Sequence, residues 1–244
     1  MTSRFPEHAH ADFAAVRAGH FWFETRREIL TEIVSSLPPK TRGGIAIEVG
    51  CGDCFVLEEL PGRWFGIDSN LFDLAQARAR NLHSALASAE ALPIRPPVSV
   101  IALFDILEHF DSPRTLLDEC RKLLAPDGTL LVTVPAGQNL WTSRDEYAGH
   151  FLRYSRAQLL DTLAQSGFRV RKIFPLFRCL WPLAWLSARF PPAHPEGSYS
   201  VGPAANRVLR LLLSWEWRLL RRSSLGIGTS WCCIAEPAAA ERHE

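Results

Sequence analysis

A chain of 244 residues, 47% hydrophobic and 22% charged, has the material for a sizeable core. Lysine and arginine (27) nearly cancel aspartate and glutamate (26), so no global field favours nucleic acid and any basic surface has to be local. Six cysteines (Cys51, Cys54, Cys120, Cys179, Cys232, Cys233) lack the spacing of a disulfide framework, MTSRFPEHAHADF carries no apolar signal core, and IFPLFRCLWPLAWLSARF is broken by Pro175, Arg178 and Pro182; a reduced, cytoplasmic protein without a spanning helix is expected.

Short aliphatic runs alternate with helical patterns, the signature of βαβ units and a parallel sheet. IAIEV (45–49) predicts a first strand, FVLEEL a short helix, RWFGID (63–68) a second strand, LFDLAQARARN a helix ending near Asn81, and SALAS a third strand. VSVIALF (98–104) is the continuous apolar run of a strand buried on both faces. Ser112 and Pro113 predict the cap and first turn of a helix whose Leu116, Leu117, Cys120, Leu123 and Leu124 share one face, closed by PDG and followed by a fifth strand, TLLVTVP (129–135). Ser155 and Gly167 bound a further helix, and the strand FRVRKIF follows.

From Pro175 the pattern turns aromatic and proline-rich. The loop EGSYSVGP leads into NRVLRLLLSWEWRLLRR, a basic amphipathic helix with Arg207, Arg210, Ser214, Arg218 and Arg221 on one side and Val208, Leu212, Trp215 and Leu219 on another. GTSWCCIAEP predicts a last strand before a polar tail.

The stretch IAIEVGCGDC carries the first chemical signal. A strand, a glycine turn and a second acid, Asp68, twenty residues after Glu48 make a Rossmann-like half. Only Gly50 and Gly52 are present, with Cys54 where a third glycine would stand. Glu48 beside the turn would repel a diphosphate and attract an ammonium or sulfonium, so the ligand is expected to be cationic. S-adenosylmethionine fits both acids, with its ribose diol on Asp68 and its methionine end near Glu48. The pair Cys51 and Cys54 also has the spacing of a redox dithiol or half a zinc site, but the element order is wrong for the first and Cys232 and Cys233 would point to opposite sheet faces; small apolar fillers is the better reading.

EVGCGDC, FGIDSN, SAEALPI, LFDILEHFDSPRTLLDECRKLLAPDG and TLLVTVP, in this order over roughly residues 20–175, resemble the motifs of class I S-adenosylmethionine-dependent methyltransferases, in the branch of ubiquinone-type small-molecule O-methyltransferases. GIGTSWCCIAEP resembles that fold's antiparallel last strand. Departures are Cys54, Ser88 in place of an aspartate near the adenine amine, and PVSVIA without a Phe-Asp pair. The resemblance implies an α/β fold: a Rossmann-like seven-stranded mostly parallel sheet, helices on both faces, and a helical insertion before the last strand. It divides the chain into an N-terminal helical lid (1–40), a cofactor-binding core (41–175), an acceptor cap (176–225) and a last strand with tail (226–244). S-adenosyl-L-methionine is expected on Glu48, Gly50, Cys51, Gly52, Asp68, Ser69, Ser88, Ala89, Glu90, Phe104 and Asp105.

Methyl transfer from a sulfonium is an in-line displacement, so positioning in a dry pocket supplies much of the rate and a base is optional. His150, in the His-x-x-Arg-Tyr segment, His109 in DILEHF and His20 in the aromatic lid are the candidate catalytic histidines, each with a structural alternative as cap or pocket wall. Trp22, Arg153, Tyr154 and Trp181 are expected near a small apolar or aromatic acceptor, methylated on oxygen. Asp105, Glu108 and His109 make a weak metal set without a distant fourth ligand, so no metal is expected. Glu216 lies in the apolar arc of its helix, either as a paired structural carboxylate or as an acceptor contact. The insertion, about 175–225, caps the acceptor, docks on anionic membrane, or forms a dimer interface; monomer and homodimer stay open. The rival readings are a nicotinamide-dependent oxidoreductase and a non-catalytic binding or membrane module.

Overall fold

The computed structural model describes residues 14, 16–190 and 201–238. Of the expected lid, residues 1–13 and 15, most of the loop before the long helix (196–200) and the tail (239–244) lie outside the described residues.

Seven strands form one sheet: β1 (Ile45–Val49), β2 (Arg63–Asp68), β3 (Ser84–Leu86), β4 (Val98–Phe104), β5 (Leu124–Pro135), β6 (Phe168–Leu176) and β7 (Ser230–Pro237), in the order β3-β2-β1-β4-β5-β7-β6. β7 runs antiparallel between β5 and β6, while β1 to β5 pair in parallel. The chain therefore has the Rossmann-like, mostly parallel sheet that its motif order implies.

Side-chain alternation sends each strand into two cores. Ile47, Val49, Ile101, Leu103, Leu130, Val132 and Cys233 face one layer, built with helices α4 (Arg114–Leu123) and α6 (Arg156–Gln165). Ala46, Val100, Ala102, Phe104, Leu131 and Cys232 face the other, built with α1 (Phe21–Ser35) and α3 (Leu71–Ala79). Helices thus cover both faces. Cys232 and Cys233 point to opposite sides, which rules them out as two ligands of one metal ion.

Short helices α2 (Pro39–Arg42) and α5 (Ser143–Tyr147) trim the loops, and α7 (Trp181–Arg189) and α8 (Pro203–Leu220) form the insertion between β6 and β7. Three local expectations change. FVLEEL makes a single 3₁₀ turn, Leu57–Glu59, because Leu60 is already extended and Pro61 follows. α4 starts at Arg114 with no side-chain cap. It also ends before PDG, because buried Leu124 is extended and pairs with Val98, so residues 124–128 lead β5 instead of closing the helix.

The insertion docks by its basic side. Arg210 of α8 and Arg221, which caps its end, pair with Glu28 and Glu32 of α1, Trp217 Nε1 donates to Glu32 Oε2 at 2.6 Å, and Asn206 accepts from Phe21 N and donates to Gly19 O, both at 2.7 Å. Leu213 is buried beneath them. The helix is amphipathic as expected, but part of its arginine side faces the protein and its apolar arc faces outward. Glu216 takes the structural role: its carboxylate accepts from Arg178 N (2.8 Å) and Cys179 N (2.6 Å), satisfying donors where the chain enters α7.

Candidate functional site

The strand order reverses between β1 and β4, so the loops leaving their carboxyl ends diverge and leave a crevice, the usual ligand position in an open α/β sheet. Glu48 ends β1 there. Gly50 follows at φ +74, and a Cβ on it would lie 2.5 Å from Ile106 Cδ1, so both conformation and close approach require glycine. Gly52 N donates to Asp68 Oδ2 at 2.7 Å and Asn70 N to Asp68 Oδ1 at 2.8 Å, locking the two loops together. Cys54, at the third-glycine position, keeps the left-handed conformation that glycine would favour, at φ +62. Its sulfur lies 3.5 Å from Cys51 Sγ, and both sulfurs fill the space over Gly66, where a Cβ would approach them to 2.5 and 2.6 Å. The cysteines are free and buried, packed as fillers, with the hydrogen bond to the Cys54 thiol, then burial, pushing Cys51 well up.

Glu48 is almost fully buried and its Oε2 has no hydrogen-bond partner. Burial pushes its carboxyl up to about 8, against the pull of Arg26 and Arg17. A partnerless buried acid oxygen beside two glycine turns is a socket for a cation. Asp68 is half-buried at the end of β2, Ser69 is exposed beside it, and Ser88, Ala89 and Glu90 form the turn after β3, where Ser88 Oγ accepts from Glu90 N at 3.3 Å and Ala87 N bonds Asp68 O at 2.9 Å. The structure thus brings the two expected acids and the adenine-side turn to one rim.

Sequence reading missed two arginines of this rim. Arg26 reaches over from α1, 2.8 Å from Asp105 Oδ2 and 3.3 Å from Thr133 Oγ1, with Thr133 donating to Asp105 Oδ1 at 2.9 Å. Its guanidinium lies between the rings of Trp22 (5.5 Å) and Phe104 (5.7 Å). Arg17 pairs with Asp53 just after the glycine turn. Asp105, at φ +55, is therefore turned to Arg26. The signal for Arg26 was its spacing, four residues after Trp22 on an aromatic helix.

On the other side of β4 lies a second cluster. His150 Nδ1 is 2.8 Å from Asp145 Oδ1, and Arg153 Nε donates to the same oxygen at 2.8 Å. Asp145 is buried; burial would raise its carboxyl, but the His150 hydrogen bond and Arg153 outweigh it and hold it below the ordinary value. It was legible as the last residue of a Thr142-x-x-Asp145 capping box, which the structure forms. The rings of His109 and His150 meet edge to face at 4.9 Å, and one ligating atom each from Glu108, His109 and His150 lies within 4.8 Å of the others. Glu108 is fully buried with both carboxylate oxygens lacking a hydrogen-bond partner; burial and the nearby Asp105 push it well up. His150 supplies the distant member that the weak metal set lacked, while Asp105 has left it for Arg26. This donor set could accept a divalent cation.

Other expected residues take structural places. His20 caps α1, its Nδ1 accepting from Trp22 N at 3.3 Å. Tyr154 is corrected: its ring lies in the core, the hydroxyl 3.5 Å from Leu107 O, and burial pushes the phenol up, so it offers no open face to an acceptor. Trp22 packs on Phe177 at 5.8 Å, joining α1 to the start of the insertion. Trp181 is half-buried where α7 begins.

Over residues 21–173 the sequence matches a family described as a methyltransferase domain. The chain belongs to that family. The cofactor of this methyltransferase domain family is S-adenosyl-L-methionine, and Glu48, the glycine turn and Asp68 fit its cationic and diol ends. A Mycolicibacterium smegmatis protein named as an S-adenosylmethionine-dependent methyltransferase is 25% identical over 166 residues, covering 65% of this chain and 63% of that protein. A ubiquinone biosynthesis O-methyltransferase of Cupriavidus pinatubonensis is 29% identical over 135 residues, 47% of this chain and 53% of the relative. The match thus spans less than two thirds of each of these relatives. Among solved structures, the geranyl diphosphate C-methyltransferase of Streptomyces coelicolor A3(2) superposes with a TM-score of 0.59 at 14% identity, covering 88% of this chain and 79% of that one. The [4+2]-cyclase SpnF does so at 0.56 and 19%, covering 86% and 80%. Such likeness shows the fold alone, and SpnF shows that the methyltransferase fold also carries other chemistry.

Proposed function

We propose that the protein transfers a methyl group from S-adenosyl-L-methionine to the oxygen of a small apolar or aromatic acceptor. The observation that carries this reading is the buried, partnerless Glu48 oxygen at the switch point, beside a glycine turn hydrogen-bonded to Asp68. The donor supplies an electrophilic methyl on a cationic sulfur. Glu48 attracts that positive end, Asp68 offers its carboxylate to the ribose hydroxyls, and the Ser88–Glu90 turn lies along the adenine side. Arg26, Trp22 and Phe104 wall the crevice and exclude water.

His150 acts as base in this reading. Asp145 accepts from Nδ1–H, which leaves Nε2 with the lone pair to take the acceptor's proton as the new oxygen–carbon bond forms. Arg153 keeps Asp145 charged and in place, making it a positioning residue. A second reading rests on Glu108: its two buried, partnerless oxygens beside two histidines favour a divalent cation that would hold the acceptor oxygen.

Calorimetry with S-adenosylmethionine and S-adenosylhomocysteine, with NADH as control, tests the donor; micromolar affinity for the first two alone is expected, and tight NADH binding would overturn it. Labelled-methyl transfer to a panel of apolar phenols, with and without chelator, then separates base from metal: activity that survives chelation supports His150 as base.

A further inference from the structure

The insertion shows the solvent an apolar face that nothing among the described residues covers. On α8, Leu211, Trp215, Val208, Leu219 and Leu212 form one continuous exposed arc. Leu183, Trp185 and Leu186 of α7 and Phe190 at its end are also exposed, as are Leu225 and Ile227 in the loop before β7. Single exposed apolar residues are ordinary, but five of them in one arc of a single helix mark an interaction surface.

The face cannot be an inward face left open by chance. The opposite side of α8 is tied to α1 through Arg210, Trp217, Arg221 and buried Leu213, and Glu216 is held by the backbone at Arg178 and Cys179. The outward presentation is therefore built in.

Charge identifies the occupant. Residues 176–229 contain seven arginines and no lysine, against two glutamates, Glu196 and Glu216, in a chain whose formal net charge is only +1. Glu216 is turned inward, so among the described residues no carboxylate borders the exposed arc of α8. Arg207 and Arg218 lie along one edge of that arc and Arg222 just beyond its end; all three are exposed, and no described carboxylate pairs with them. A two-fold dimer of this face would bring no described carboxylate of the arc to meet these arginines. An apolar arc centred on Trp215 and edged by arginines that no described carboxylate pairs suits the headgroup boundary of an anionic bilayer.

We infer that the outer face of α8 docks the protein on an anionic lipid surface, with its apolar arc in the headgroup boundary and Arg207, Arg218 and Arg222 on lipid phosphates. This surface is independent of the methyl-transfer reading. Among the described residues no helix is long and apolar enough to cross a membrane, so docking is from one side.

The test is flotation of the full chain with vesicles of 70% phosphatidylcholine and 30% phosphatidylglycerol, against pure phosphatidylcholine, at 0.1 M salt. At least tenfold stronger partition to the anionic vesicles is expected. The pair Trp215→Glu and Leu219→Glu should abolish it, and Arg207→Gln with Arg218→Gln should weaken it about thirtyfold while sparing thermal unfolding. Both pairs are solvent-facing, and unchanged calorimetric affinity for S-adenosylmethionine verifies the fold. Equal, weak partition to both vesicle types would overturn the inference. So would a lipid-free dimer that the Trp215→Glu and Leu219→Glu pair converts to monomer.

Discussion

The rim of the sheet and the outer face of the insertion both carry groups that the chain leaves unsatisfied, but of opposite kinds. At the rim, Glu48 and Glu108 bury carboxylate oxygens without partners. On the insertion, leucines and tryptophans stand in water. Each is unfavourable to the isolated fold, the first through desolvation of a polar group and the second through exposed apolar area. The difference teaches what kind of partner each region awaits: a small cation or proton donor inside, an extended apolar and anionic surface outside.

The largest expected effect separates the chemistry at the rim from binding there. His150→Gln should lower kcat by about 10² to 10⁴-fold while leaving the cofactor Kd within about twofold, as single-turnover kinetics and calorimetry would show. Equal losses in both would make His150 part of the cofactor site and break the division drawn above.

Glu48→Gln sharpens the comparison from the stability side. The folded carboxyl titrates near 8, above its ordinary value, so its stabilising contribution is complete below the unfolded range and is lost as pH rises through about 8. The substitution should therefore raise urea resistance at pH 8 by on the order of a few kcal/mol, and much less at pH 5. Cofactor affinity should fall by about 10- to 100-fold through the lost charged contact. In the unsubstituted protein, affinity should strengthen between pH 6.5 and 8.5 as Glu48 ionises.

A loss of similar size in affinity, without the gain in stability, is expected at Asp68. Asp68→Ala should weaken cofactor binding by about 1–3 kcal/mol. Because Gly52 N and Asn70 N both bond this carboxylate, Asp68→Asn, which keeps one acceptor, should retain more of the melting temperature than alanine does. Least affected should be the exposed pair Lys40 and Asp127, 2.7 Å apart; Lys40→Ala should leave thermal unfolding unchanged within error, because water already screens the pair.

The core of the fold was legible because its signals are local. Residues 45–49 and 98–104 carry enough β-branched and aliphatic weight, and residues 63–68 enough aromatic weight beside Ile67, to mark strands with the observed bounds, and Ser155 with Gln158 forms the capping box that opens α6. Leu124 was misread for the opposite reason: its extended conformation follows from pairing with Val98, twenty-six residues away, which no local window contains.

The candidate site divides in the same way. Glu48, Gly50, Gly52 and Asp68 lie in the ordered motifs of the methyltransferase domain and were readable as such. Arg26 with Asp105, and His109 with His150, depend on which segments meet at the strand ends, and the placement of Tyr154 in the core depends on its packing against Leu107. The amphipathic period of α8 was plain in the sequence, but not which side would face inward. That was settled by Glu28 and Glu32, 182 and 189 residues earlier in the chain, whose charges draw Arg210 and Arg221 to α1. Hydrophobic period and turn chemistry act over a few residues and so can be read directly; ion pairs and shared burial act across space, and only the tertiary structure decides them.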